Sequence, residues 1–357
     1  MSTRETLLRN IKGEEVTIPD LFAVFKGWVN SEVSPYYKKL IPVSNTRLES
    51  IFNDQRKLNA LIASDFAFFA ATWWPKAKND ELTVLLYFAI WLFNWDDEID
   101  EPTGSYADDL DGAERYRSQT IDFVLECLGL QDQASSTPFH RAQNKIIASF
   151  KDIGEPLAKS YTVEQRQRFM DELLRFMSHT KHEQDFRLRS EMPTIEEYWS
   201  FRMGTSAVGV VVAVQEYAMN IQISDNVMRT DRRIKAITDE TIINIVIVND
   251  LLSLKKEISK GCIDSLVPIY CAQGISVQDA VDTSVEALAL SKARFDAAAR
   301  SLRASAQREP AKYKHVSEWI DGCQTLCVGN LEWSLATGRY GVKGDRVASD
   351  GSVRFTL

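Results

Sequence analysis

The chain has 357 residues, 45% of them apolar and 26% charged, and a net charge of about −8 with a pI near 5.3. That length can build one large core or two modest domains. The acidic balance argues against nucleic acid as the main partner, since phosphate backbones draw clustered Lys and Arg. No apolar stretch reaches the roughly 18 residues needed to span a bilayer.

Residues 1–10 are charged and lack an apolar signal core, so a secretory leader is not expected and the cytoplasm is the expected compartment. The first 15 residues and the tail after Val342 (Lys343 to Arg346) read as loosely held. Apolar residues then recur at helical spacing from Leu48 to Trp74, where Pro75 stops the run, and Glu81 to Trp95 is apolar on most sides. A looser stretch, 101–105, carries Pro102 and Gly104. Further amphipathic runs cover about 108–130, 139–152, 163–186, 194–220, 239–260, 276–303 and 311–337. Prolines 75, 102, 138, 156, 193, 268 and 310 read as punctuation between runs. Thr194 followed by Glu197 has the form of a capping box. No strand-type alternation, repeat or linker is evident. The expected fold is all-α: one helical domain over 1–357, with its core at about 42–342, wrapped around an apolar cavity. The five cysteines (127, 262, 271, 323, 327) read as reduced thiols. His140, His179, His182 and His315 have neither metal nor triad spacing.

Two polar sets end two of the apolar runs. In Asp96-Asp97-Glu98-Ile99-Asp100, residues Asp96 and Asp100 share a helix face and Asp97 lies about 100° round. Acids are disfavoured at a helix C-terminus, so this cluster calls for cations. About 150 residues later, Asn249, Ser253 and Glu257 recur at i, i+4, i+8 after the apolar run 242–248. An amide oxygen, a hydroxyl and a carboxylate on one ridge form a chelating row of hard oxygens suited to Mg²⁺. Facing each other, the two sets would hold several Mg²⁺ ions and a polyanion, most simply a diphosphate. Each set taken alone is also compatible with a solvated helix end.

Together the two motifs resemble those of the class I terpene synthases, particularly the single-domain microbial sesquiterpene cyclases, from roughly Pro42 to Val342. The first matches that family's Asp-rich motif, and the second its N-D-x-x-S-x-x-x-E motif at every specified position. The resemblance implies Asp96 and Asp100 with Asn249, Ser253 and Glu257 as ligands of three Mg²⁺ ions. It implies that Arg202, Lys256, Arg339 and Tyr340 bind the substrate diphosphate. It also implies a helix break just after Arg202, although Thr205 and Ser206 depart from the acidic linker and glycine commonly found there. Gly204 and Gly209 would permit that break, and Ser206 is a candidate for stabilising the first cation or assisting deprotonation. Phe93 and Trp333 are expected cavity walls, with Phe66, Phe69 and Tyr87 as weaker candidates. Aromatic faces stabilise a passing cation without being alkylated.

The expected activity is therefore Mg²⁺-dependent ionisation of an isoprenyl diphosphate, most simply farnesyl diphosphate, with cyclisation of the allylic cation and release of diphosphate. Alternatives are a diterpene cyclase acting on geranylgeranyl diphosphate, a chain-elongating prenyl diphosphate synthase, and a silent helical diphosphate-binding protein. No Asp-x-Asp-Asp acid occurs, so ionisation rather than protonation should start the reaction. The expected partner is a small-molecule isoprenyl diphosphate, with no nucleic acid, no membrane span, and a monomer or homodimer as the assembly.

Overall fold

In the computed structural model the described residues are 3–28, 32–131, 144–189, 192–342 and 347–357. Among them seventeen α-helices and one two-stranded sheet form. The helices of the first half are α1 (Thr3–Ile11), α2 (Tyr37–Ile51), α3 (Gln55–Ala63), α4 (Phe66–Trp73), α5 (Asn79–Asp100), α6 (Leu110–Cys127), α7 (Lys145–Ala148) and α8 (Lys151–Ser160). The second half supplies α9 (Val163–Leu188), α10 (Ile195–Thr205), α11 (Val208–Ala213), α12 (Gln215–Met219) and α13 (Asp225–Thr230). It continues with α14 (Arg232–Lys260), α15 (Leu266–Ala272), α16 (Val277–Arg308) and α17 (Val316–Ala336). The all-α expectation holds, and no helix is long and apolar enough to cross a membrane among the described residues.

Helices α5 and α14 are the central pair. Their lengths of 22 and 29 residues carry apolar side chains all round, because each is covered on several sides. α14 packs on α16, α17 and α11, while α5 packs on α2, α4, α8 and α9. Leu86, Ile90, Trp91 and Trp95 on α5, and Ile247, Val248, Leu251 and Leu254 on α14, are buried. Each such side chain contributes about 1.5–3 kcal/mol of transfer free energy. Thr194 caps α10 as its sequence indicates, with the reciprocal Glu197 bond formed, and Thr162 and Gln165 cap α9 in the same way.

Three expectations need correction. The described residues near the two ends are held together: Glu15–Ile18 (β1) pairs antiparallel with Val353–Thr356 (β2), setting Val16 opposite Phe355. Both of those side chains are buried, and Arg4 on α1 pairs with Asp264 before α15. Four-residue strands are too short for period-two patterning to stand out against so helical a chain. Residues 343–346 and His140 lie outside the described residues. The second correction concerns proline: Pro156 lies inside α8 and Pro268 inside α15 rather than between helices, and Pro42 lies inside α2. Pro268 falls in a first turn, where its missing N–H costs nothing. Third, the described part of the run expected over 139–152 is divided between α7 and α8, while Pro138 and residues 139–143 lie outside the described residues.

Candidate active site

α5 and α14 end at the same mouth. Asp96, Asp97, Asp100 and Glu101 from α5 and its cap line one cavity together with Asn249, Lys256 and Glu257 from α14. Arg202, Thr205 and Ser206 enter from α10, and Asn330, Trp333, Arg339 and Tyr340 from α17 and its exit. Below this polar rim lie Phe69, Trp73, Phe88, Leu92, Phe93, Val208, Val211, Ile245 and Val246. The space between atoms, open mouth included, is about 940 Å³.

The acidic end of α5 has no basic residue in its own last turn. Other elements supply the compensation. Arg187 of α9 bonds the Ile99 and Asp100 carbonyls and the Asp100 carboxylate, the last at 2.7 Å. Arg339 grips Asp97 at 2.6 and 3.1 Å while lying over the Phe93 ring. Glu101 receives Lys256 at 2.9 Å and Lys260 at 2.5 Å. Burial opposes ionisation of Glu101, but Lys256, Lys260 and Arg339 outweigh it and pull its carboxyl down to about 2. Asp96 alone of this group has no ion pair within 4 Å among the described residues. Burial pushes its carboxyl well up, and the nearby carboxylates of Asp100, Glu183 and Asp97 push it further. Burial and Asp100 likewise raise Glu183 of α9, to about 7. Crowded carboxylates repel one another, and a cation between them would relieve that repulsion.

On the facing ridge, Ser253 donates to Glu257 at 2.6 Å. The Asn249 amide oxygen accepts from Arg202 at 3.1 Å, and its amide nitrogen donates to the Tyr340 hydroxyl at 2.7 Å. Burial lifts the Tyr340 phenol to about 12 even though Arg339 opposes the shift, so it remains a neutral donor. Asp250, next to Asn249, turns the other way into the core. It accepts from Tyr198 Oη at 2.6 Å, from the Leu266 amide at 2.9 Å and from Arg202 at 3.3 Å. Asp250 therefore tethers α14 to α10 and α15 and aims Arg202.

α10 does break after Arg202. The hinge residue is Ala207, at φ 57°, and α11 restarts at Val208. The neighbouring glycines have a different role from the one expected. A Cβ on Gly204 would stand 2.3 Å from the His179 ring, and one on Gly209 would stand 2.2 Å from the Glu172 carboxylate. They let α10 and α11 lie against α9. Thr205 and Ser206 immediately precede the break and line the cavity, and the buried Thr205 hydroxyl faces the Glu183 carboxylate.

The expected walls Phe93 and Trp333 line the cavity, as does Phe69, with ring centroids 5.1–5.5 Å apart across the three. Phe66 stands behind Phe93, edge to face. Tyr87 does not reach the cavity; its ring lies under the Arg47 guanidinium on the outer side of α5. Trp73, Phe88, Asn330 and Glu101 line the cavity and were not evident from the sequence, nor was Glu183, which crowds Asp96 and Asp100 without lining it. Glu101 directly follows the Asp-rich motif, but Glu183 lies in the polar run of α9 with no local signal.

The model of terpene synthase family 2, C-terminal metal binding, matches residues 87–289. The chain is a member of that family. It is 33% identical to sesquiterpene cyclase hepA of Aspergillus oryzae over 97% of this chain and 94% of that one. It is 25% identical to silphinene synthase peniA of Penicillium patulum over 91% and 85%. Among solved structures, an α-eudesmol synthase superposes with a TM-score of 0.74 at 18% identity, covering 87% of this chain and 98% of that one. A linalool/nerolidol synthase from Streptomyces clavuligerus, in complex with 2-fluorogeranyl diphosphate, gives 0.72 at 16% identity over 87% and 98%. These two likenesses concern the fold. The terpene synthase is thus an enzyme of the sesquiterpene cyclase type with a metal-binding region, and a prenyl diphosphate is its substrate class.

Proposed function

We propose that the chain ionises farnesyl diphosphate with Mg²⁺ and cyclises the resulting cation to a sesquiterpene hydrocarbon or alcohol. The observation that carries this reading is the meeting of Asp96 with Asn249 and Glu257 at the rim of an apolar, aromatic-lined cavity. Asp96 and Asp100 on one wall, and Asn249, Ser253 and Glu257 on the other, would hold three Mg²⁺ ions. Bound there, Mg²⁺ neutralises the diphosphate and stabilises it as a leaving group. Arg202, Lys256 and Arg339 donate charge-assisted hydrogen bonds to the diphosphate, and Tyr340 a neutral one. To do so Arg202, Lys256 and Arg339 exchange their present partners, Asn249, Glu101 and Asp97, for phosphate oxygens, while the Tyr340 hydroxyl, which now accepts from Asn249, donates its own proton.

As the allylic C–O bond breaks, positive charge grows on carbon below the rim. Phe69, Phe93 and Trp333 present ring faces there, each worth about 0.5–2 kcal/mol to a nearby cation. Their apolar neighbours exclude water, so the cation reacts with its own double bonds. Ser206, beside Thr205 at the helix break, is the candidate for stabilising the first cation or assisting deprotonation. Farnesyl is preferred over longer chains because the full-length relatives carry sesquiterpene names. The 2-fluorogeranyl diphosphate complex of the structural neighbour is consistent with a diphosphate at the rim. We place the protein in the cytoplasm, as a monomer or homodimer.

The test is incubation of purified protein with Mg²⁺ and geranyl, farnesyl or geranylgeranyl diphosphate, read by gas chromatography–mass spectrometry. A cyclic C15 product from farnesyl diphosphate, lost on chelation with EDTA, is expected. Absence of any terpene from all three substrates would overturn the reading. Longer diphosphates formed on adding isopentenyl diphosphate would point to elongation instead.

A further inference from the structure

A second cavity abuts the catalytic one. The two share Asp97, Glu101, Lys256 and Arg339, which form a charged partition between them. The outer cavity encloses about 1420 Å³ between atoms, open mouth included. Its remaining wall comes from α3, from the Thr103–Gly104 turn and from Gly338.

Its charge is opposite to that of the protein. The chain as a whole carries about −8. Five cations nevertheless line this space, Arg56 and Lys57 from α3, Lys256 and Lys260 from α14, and Arg339. Three carboxylates oppose them. Asp54 is engaged as the N-cap of α3, Asp97 is gripped by Arg339, and Glu101 is shared by Lys256 and Lys260. Lys57 reaches Glu98 at 2.9 Å. The cations are graded in exposure: Arg339 and Lys256 keep 16% and 17% of their side chains in solvent, Lys57 and Lys260 41% and 42%. Moving outward, each lysine is held by a single carboxylate oxygen, a weak competitor for a polyanion that offers several charged oxygens at once.

We propose that this outer cavity is a second diphosphate-binding site, where inorganic diphosphate docks as it leaves the metals. The inference rests on the diphosphate-ionising reading of the inner site. Lys256 and Arg339, which face both cavities, hold the anion on the inner side. Lys260, Lys57 and Arg56 take it on the outer side. No bond is made or broken in this step; carboxylate partners are exchanged for phosphate oxygens.

Isothermal titration of the full chain with inorganic diphosphate in Mg²⁺ buffer tests it. Wild type should bind two diphosphates per chain. Arg56→Gln/Lys57→Gln/Lys260→Gln should bind the second about tenfold more weakly, a change of about 1.4 kcal/mol, with the tighter site within a factor of two of wild type. The double variant Arg56→Gln/Lys57→Gln, changed only on α3, reads the same question if the triple variant folds poorly. One diphosphate per chain in wild type, or an unchanged second site in a folded variant, overturns the proposal. The readout needs no turnover. A terpene product with one binding site therefore removes only the outer site, and two sites without any terpene remove only the proposed reaction.

Discussion

Replacing Asp250 by alanine removes the acceptor on which α10, α14 and α15 converge. The carboxylate is 1% exposed and accepts from Tyr198 Oη, the Leu266 amide and Arg202. Losing one member of a buried ion pair costs about 3–5 kcal/mol. Each further donor left without a partner costs about 1–3 kcal/mol. Arg202 keeps 20% of its side chain in solvent, so water meets part of its need and the pair belongs at the low end. The three losses are also coupled and do not sum. Asp250→Ala should therefore lose about 4–5 kcal/mol, a large share of the roughly 5–15 kcal/mol that holds a protein folded. Asp250→Asn keeps an acceptor oxygen but not the charge, and should lose about 2 kcal/mol. Guanidinium unfolding monitored by circular dichroism measures both. In the surviving Asn variant, kcat for farnesyl diphosphate should fall more than tenfold, because Arg202 is no longer aimed. A loss below about 1 kcal/mol for the alanine variant, or unchanged kcat in the Asn variant, would refute the tethering role.

Other outcomes follow from the same geometry. Burial and the Asp100 carboxylate raise the Glu183 carboxyl from an ordinary 4.5 to about 7 in the folded chain, so the metal-free protein holds a proton there that the unfolded chain has lost. That contribution is full below about 4.5 and disappears as pH rises through 7. Melting temperature without metal should fall across that window, and Glu183→Gln should flatten the fall; parallel curves would contradict it. Glu101 has the opposite sign. Its carboxyl is held near 2, so its stabilisation is full above about 4.5 and is lost as pH falls from there to 2. Glu101→Gln should weaken acid unfolding across that range, as followed by circular dichroism. Ala207 sits at φ 57°, a conformation that glycine adopts without the Cβ penalty. Ala207→Gly should change stability by less than about 1 kcal/mol, whereas Ala207→Val should cost more than 1 kcal/mol and lower kcat. Trp333→Ala should leave diphosphate binding near wild type while diverting product toward linear alcohols, read by chromatography of the extracts.

Much of the site was legible because helical spacing is rigid. Asn249, Ser253 and Glu257 must share a ridge once α14 is a helix, and Asp96 and Asp100 must share a face of α5. The buried helices were equally visible, since Glu81 to Trp95 has no polar face. Partners across the fold could not be read in this way. That Arg187 would neutralise the end of α5, that Glu101 would gather two lysines, or that Glu183 would crowd Asp96 depends on how α9 and α14 lie against the end of α5. The break expected just after Arg202 falls five residues later, at Ala207, and the glycines expected to permit it serve close packing on α9 instead. Asp250 was read as part of a motif rather than as an anchor, because sequence spacing does not tell which way a side chain at a crowded helix crossing turns. The paired chain ends escaped because four residues are too few to establish a period.

The central claim is that the ends of α5 and α14 form one metal site. Crystals grown with Mn²⁺ and inorganic diphosphate, with anomalous diffraction recorded at the manganese edge, measure it directly. The account predicts peaks bonded to Asp96 on one side and to Asn249, Ser253 and Glu257 on the other, bridged by diphosphate. Diphosphate bound elsewhere, or manganese absent from both walls at saturating concentration, would contradict it.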